Sequence, residues 1–301
     1  MFAPRRLPSR SACLFAAALL CGSASSWAGP SLDRIKLTGK IVIAHRESSV
    51  PFSYVLPDKQ PVGYALDLCS RLSEVIRKRL GLAKLQTEYL LVTPATRVAA
   101  ITDGKADMEC GGTTNNAERR QKVAFTVPHY ITGTRYMVLA NSKIDDLNNF
   151  GSRKLVSTVG TTALKSITQN NNERLLGIQI LEAPDHARAV QMVENGEADG
   201  FAMDDVLLFG LKASRPEPDK LKVVGKFLTI EPLAIMLPKN DPELKAIVDE
   251  EMKRLITSHE ADAIYAKWFL QPIPPKQVAL NLPMNYLLKD FWKYPTDWVP
   301  F

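Results

Sequence analysis

The spacing of apolar residues switches period repeatedly along the chain, and the switches outline a fold. "KIVIAHR" (40–46) is a short β-rich run that ends in polar residues. In "GYALDLCSRLSEVIRKRLGL" (63–82) the apolar positions 65, 68, 69, 72, 75, 76 and 80 keep helical spacing, and Gly81 supplies a stop. "LQTEYLLVT" (85–93) predicts a second strand, "TRVAAITDG" (96–104) a short helix closed by Gly104, and "ADMECGG" (106–112) a third strand. The order β-α-β-α-β is the rhythm of a mostly parallel sheet.

The rhythm then repeats. Strands are predicted at 154–160, 178–183 and 198–205, with helices at 161–175 and 186–196 between them. "DGKAD" (103–107) and "NGEAD" (195–199) occupy the same place in the two halves, each ending a short helix and opening a strand, with Arg97 and Arg188 upstream. Two similar α/β lobes are therefore expected. A polar loop at 213–219 leads to strand-like runs at 222–228 and 233–238, and then to helices at 240–256 and 258–269, the first with Pro242 in its opening turn. These late helices have no strands of their own left to cover, so they are expected to return to the first lobe. The second lobe then becomes an insertion, with passages between lobes near 131–138 and 229–236 and a cleft between them.

The first residues stand apart from this pattern. Arg5, Arg6 and Arg10 precede the apolar run "ACLFAAALLC" (12–21), which is too short to span a bilayer, and Ser26 and Ala28 are the small residues of a cleavage site after Ala28. Leu20 before Cys21 argues against a lipid anchor. Removing this leader takes three arginines and no acids, so the formal charge falls from +6 to +3, too mild to indicate a nucleic-acid partner. The whole chain is 46% hydrophobic, ample for the core of one large domain or two modest ones. Of the cysteines, Cys69 and Cys110 remain after export, and the sequence leaves a bridge and two buried thiols both open. His45, His129, His186 and His259 show no metal-ligand spacing, so neither a metal site nor a cofactor is expected.

In open parallel sheets, polar residues just after strands reach the ligand crevice. Here these are His45 and Arg46, residues 93–97, the stretch "GGTTNNAERR" (111–120), "GTT" (160–162), "DHAR" (185–188) and Asp204 with Asp205. Arg46, Arg97, Arg119 and a protonatable His186 outnumber Asp204 and Asp205, which suits a small ligand with more negative than positive charge. The 111–120 stretch reads as an anion cradle: Gly111 and Gly112 would let backbone N–H groups approach a ligand, and Thr113 and Thr114 would add hydroxyls. A helix opening near Asn116 and running through "RRQKVAF" (119–125) would point its positive end the same way, and Arg119 could make a bidentate bond to a carboxylate. No nucleophile elbow and no nucleotide-type glycine loop is present.

In order along the chain, "HRESSVPFSY" (45–54), "GYALDL" (63–68), "ECGGTTNNAER" (109–119), "GTT" (160–162), "MDDVLL" (203–208) and "KWFLQPIPP" (267–275) resemble the periplasmic solute-binding proteins of polar amino-acid ABC transporters, in the glutamate/aspartate-binding branch. The resemblance covers roughly residues 32–290. It implies a two-lobe, type II periplasmic binding protein fold of class α/β, with lobe 2 inserted in lobe 1 and the ligand in the inter-lobe cleft. On this reading residues 1–28 are the leader, 29–133 the first part of lobe 1, 134–232 lobe 2, and 233–301 the return to lobe 1 and a tail.

The resemblance also implies residue roles. Arg119 and Thr114 would hold the ligand's α-carboxylate, with Thr162 closing from the other lobe. Asp204 would take the α-ammonium, and Arg46, Arg97 and His186 the side-chain carboxylate. The implied partners are glutamate or aspartate and the subunits of a membrane permease, the implied place is the periplasm, and a monomer is expected. The branch has serines where this chain carries Pro94 and Gly112. Two other classes fit the same outline: an exported enzyme resembling cyclohexadienyl dehydratases, or a binder of another small dicarboxylate, and a sensor module, for which no appended kinase or membrane domain speaks.

Overall fold

A computed structural model describes residues 30–300, and the expected leader at 1–28 lies outside the described residues. Lys40–His45 buries Ile41 and Ile43 and pairs in parallel with Gln86–Leu91 on one side and Met108–Thr114 on the other. Glu231–Pro238 then runs antiparallel to Met108–Thr114, and both Val123–Phe125 and Tyr130–Thr132 pair with it. The second sheet has the spatial order Gln179–Ala183, Lys154–Thr158, Gly200–Asp204, Thr134–Leu139, Leu221–Val224. Its first two pairings are parallel and its last two antiparallel. Both sheets thus follow one plan, a parallel triplet joined by an antiparallel strand that has just arrived from the other lobe.

The chain passes from the first sheet to the second at Gly133, between Thr132 and Thr134, and returns through 225–230. A Cβ on Gly133 would lie 2.3 Å from the Thr229 carbonyl oxygen, so only glycine lets the two passages run this close. Tyr64–Arg79 buries Leu68, Cys69, Leu72 and Ile76, and the late helices Pro242–Thr257 and Glu260–Phe269 pack against it. A disulfide joins Cys69 on this helix to Cys110 in Met108–Thr114. The tail folds back over lobe 1. Asn285 Nδ2 donates to the Ile131 carbonyl at 2.6 Å and Trp292 Nε1 to that of Pro128 at 3.0 Å, while Leu288 and Val299 are buried.

The repeated pentapeptides are the same joint built twice. After Arg97–Thr102 and after His186–Glu194 the chain turns through a glycine of positive φ, Gly104 at 67° and Gly196 at 72°, where an L side chain is strained. Asp107 Oδ2 then accepts the Val42 backbone N–H at 2.8 Å, and Asp199 Oδ2 accepts that of Lys154 at 2.8 Å. Each carboxylate fastens the start of a strand to the central strand of its parallel triplet. The upstream arginines do not share this equivalence: Arg97 is buried, whereas Arg188 lies on the surface and pairs with Glu197 at 2.5 Å.

Two local expectations fail. The "GGTT" of 111–114 is the last part of the strand Met108–Thr114, buried throughout, because Thr113 and Thr114 pair with Ala234 and Leu233. Residues 119–125 do not open a long helix. A single turn, Ala117–Arg120, gives way to the edge strand Val123–Phe125, whose alternating Val123 and Phe125 are buried. Strand periodicity over three residues was too short to read against the helical alternative.

Candidate functional site

The carboxyl ends of both parallel triplets face one another across the cleft, and the lobes touch there. Arg119 sits on the four-residue turn behind Met108–Thr114. Asn116 caps that turn by accepting the Arg119 backbone N–H at 2.9 Å. So short a turn carries little dipole, so the anion-binding character of this corner belongs to the guanidinium. Arg119 Nη1 donates to the Thr114 carbonyl at 3.0 Å, and Nη2 reaches across to the Gly160 carbonyl at 3.3 Å. Thr114 Oγ1 lies 3.4 Å from Thr162 Oγ1, and Lys165 Nζ donates to Glu118 Oε2 at 2.5 Å. A cleft of about 280 Å³ opens here, lined among others by Pro94, Ala95, Arg119, Gly160 and Thr162.

Deeper in, Arg46 and Arg97 are each 3% exposed. Arg97 Nη1 donates to Thr113 Oγ1 at 2.7 Å, and Thr113 Oγ1 donates to Glu109 Oε2 at 2.6 Å, a relay that fixes the Arg97 head group. Arg46 Nη2 faces His186 Nε2 at 3.4 Å across the lobes. Guanidinium only donates, so this His186 nitrogen accepts, and Nδ1 carries the proton toward Thr158 Oγ1 at 2.8 Å. Burial, and then Arg46 and Arg97, push the His186 pKa well below its ordinary value. His186 is therefore a neutral acceptor, not the cation that the sequence allowed. Burial, and then the neighbouring Arg97, lower both Arg46 and Arg119 to about 9. Crowding cations in a dry cleft in this way favours an anion beside them.

Of the seven predicted residues, Arg119 and Thr162 line the opening and are half-buried, and Arg46, Arg97, Thr114, His186 and Asp204 are buried; Arg46 faces His186 and Thr114 faces Thr162 between the lobes, and Arg97 and Arg119 act electrostatically on Asp204. Sequence reading missed Glu109 and Glu231, at 0% and 3% exposure. Glu109, Asp204 and Glu231 all act electrostatically on Arg97 and Arg119. The expected excess of cations is therefore corrected to a near balance of buried arginines and buried acids. Both glutamates lie within strands, where a single polar residue in an apolar run reads as an outward-facing position. Gly111 and Gly112 also have a different role from the one expected. A Cβ on Gly111 would meet Glu109 Oε1 at 2.5 Å and Arg46 Cγ at 3.1 Å, and one on Gly112 would meet the Phe52 ring at 3.3 Å. They make room for the charged pair and an aromatic floor.

Among the described residues, Arg46 Nε, Arg97 Nε, Glu109 Oε1, Asp204 Oδ1 and Glu231 Oε2 are buried without a hydrogen-bond partner. An unpaired buried charge costs several kcal/mol, so donors and acceptors gathered in one cleft mark a place built for a ligand carrying both signs. No trio of metal-capable side chains occurs among the described residues.

Two α/β lobes joined by two passages, with a buried charge-dense cleft lined from both, define a binding protein of the clamshell class. The chain belongs to the bacterial extracellular solute-binding proteins, family 3, whose model matches residues 41–271. It is 39% identical over 268 residues to the L-glutamate/L-aspartate-binding protein of Pseudomonas aeruginosa, covering 89% of each chain. It is 38% identical over 270 residues to the glutamate/aspartate import solute-binding protein of Salmonella typhimurium, covering 90% of this chain and 89% of the relative. Of solved structures, one of the solute receptors for L-cysteine of Neisseria gonorrhoeae matches with a TM-score of 0.70 at 22% identity, covering 82% of this chain and 96% of that one, a likeness of fold alone. These relatives are binding proteins, not enzymes, and this chain takes its place with them.

Proposed function

We infer that this protein is the substrate-binding component of an ABC importer, capturing glutamate or aspartate outside the inner membrane and handing it to a membrane permease. The observation that carries the reading is the set of unpaired buried groups: Arg46 Nε and Arg97 Nε as donors, and Glu109 Oε1, Asp204 Oδ1 and Glu231 Oε2 as acceptors. An acidic amino acid offers two carboxylates and one ammonium to match. In this reading Arg119, Thr114 and Thr162 hold the α-carboxylate, Asp204 the α-ammonium, and Arg46, Arg97 and neutral His186 the side-chain carboxylate. Export through a leader cleaved after Ala28 places the protein in the periplasm, where it works as a monomer.

The names of the relatives support the ligand class. Contacts between the lobes at Arg46–His186, Thr114–Thr162 and Arg119–Gly160 support closure around the ligand as the signal that the permease reads. Calorimetric titration with glutamate, aspartate, glutamine, asparagine and lysine tests the function. Acidic amino acids should bind tightest, and glutamine binding as tightly as glutamate would refute the assignment.

A further inference from the structure

Asp204 and Glu231 occupy matching places on either side of the first passage. Asp204 is the Cα partner of Thr134, on the lobe 2 side of Gly133, and Glu231 is the partner of Thr132, on the lobe 1 side. Each ends or begins a strand of a different sheet, so a change in the angle between lobes changes the distance between the two carboxylates. Neither carboxylate is spent on local structure. Asp204 stands at the N-cap of Asp205–Ser214 and makes no cap bond. The neighbouring Asp205 accepts from Thr132 Oγ1 at 2.7 Å instead, fastening that helix to the passage. Asp204 Oδ1 and Glu231 Oε2 are buried with no partner among the described residues.

The charged groups acting on Asp204 are Glu231, Asp205, Arg97 and Arg119. Burial first, and Glu231 next, hold its carboxyl well above the usual carboxylate range. Like charges in a dry site repel strongly, and a cation between them removes the repulsion.

Resting on the ligand reading above, we propose that Glu231 is a specificity-determining residue: Asp204 and Glu231 repel across the hinge and hold the empty lobes apart, and the ligand's ammonium, bridging the two, is what lets them close. The ammonium is then read twice, as a contact and as a condition for closure. An acid of the same carbon skeleton without an amine should satisfy the arginines and still fail to close the lobes.

The test compares L-glutamate with glutarate, by calorimetry, on the full mature chain. Wild-type titration with glutamate stands as the separate check on the ligand reading. In Glu231→Gln the preference for glutamate over glutarate should shrink by about tenfold or more, and the ligand-free variant should scatter X-rays with a smaller radius of gyration than the ligand-free wild type. Glu231→Asp keeps the charge and should restore most of the preference, which a purely structural role would not predict. A preference in Glu231→Gln within about threefold of wild type, or an unchanged ligand-free radius, overturns the proposal. If Glu231→Gln does not fold, the wild type still decides it. Saturating glutarate should leave the wild-type radius of gyration at its ligand-free value, whereas saturating glutamate reduces it. Equal compaction by the two acids would overturn it.

Discussion

Gly160 offers a direct test of lobe closure, because one substitution there has two separable costs. The residue lies in the lobe 2 "GTT" stretch with φ at 79°, and an ideal Cβ would sit 2.7 Å from the Ala95 N and Cα and 2.8 Å from the Pro94 carbonyl carbon, all in lobe 1. These are backbone atoms and cannot swing aside. To reach the 3.4 Å of ordinary contact the lobes would have to part by about 0.7 Å. Overpacking of this kind costs about 1–3 kcal/mol, and it arises only when the lobes are together. Gly160→Ala should therefore weaken glutamate binding about 5- to 150-fold. The left-handed backbone costs about 1–2 kcal/mol more, in open and closed forms alike, and appears as lower stability of the ligand-free protein. Gly196→Ala is the control: its φ is 72° but nothing lies within 4 Å of the added atom. It should lose stability and keep its affinity. Calorimetry and thermal unfolding on both variants separate the two costs. Equal affinity of Gly160→Ala and wild type, with both folded, would refute the argument that this contact forms on closure.

Arg119→Ala should weaken every amino-acid ligand, and Arg46→Ala mainly the acidic ones, each by about 2–5 kcal/mol for a buried charge pair; equal effects of Arg46→Ala on glutamate and glutamine binding would reverse the assigned orientation. Scattering by the wild type should show a smaller radius of gyration with saturating glutamate, and an unchanged radius with binding confirmed would remove closure from the mechanism. Stability should fall on acidification below about pH 6.5. Burial lowers His45, His129 and His186, His129 to about 3, so the unfolded chain takes up their protons first; their contribution is complete above the ordinary histidine value and is lost as pH falls toward the folded values. Each histidine can contribute a slope of up to about 1.4 kcal/mol per pH unit, offset in part by Asp204 and Asp205, whose raised carboxyls protonate first in the folded state. Denaturant unfolding between pH 7 and 5 checks this, and stability that is flat or rising toward pH 5 would count against it.

The elements with long periodic patterns were legible in the sequence. The seven-position apolar stripe of 65–80 gave Tyr64–Arg79 to within a few residues, and the repeated pentapeptides identified a joint that the structure builds twice. Strand ends gave the arginines of the cleft, because position after a strand follows from chain order alone. Glu109 and Glu231 were hidden because their role depends on a partner far away in sequence. Glu109 answers to Arg46 and Arg97, and Glu231 to Asp204, contacts that no local pattern records. The tautomer of His186 was hidden for the same reason, since Thr158 and Arg46 determine it from two lobes. The Cys69–Cys110 bridge was one of two open readings until the helix and strand carrying the thiols were placed side by side.

The insertion of one lobe within the other also sets an order of assembly. The strands of the second sheet run from Thr134 to Val224 without interruption, so that lobe has everything it needs within one continuous segment. The first sheet does not. Thr114 pairs with Leu233, and Val123–Phe125 meets the sheet only through Glu231–Pro238, so its middle stays unfilled until the whole inserted lobe has emerged. Pairing that closes so long a loop is slow. As the chain emerges N-terminus first, the second lobe can fold as a unit while the first waits with its central edge exposed. The final helices and tail, which pack on that first lobe, arrive last and close over it. Until then the edge of Met108–Thr114, which holds Arg97 through Thr113 in the finished molecule, stays unpaired and open to wrong pairing.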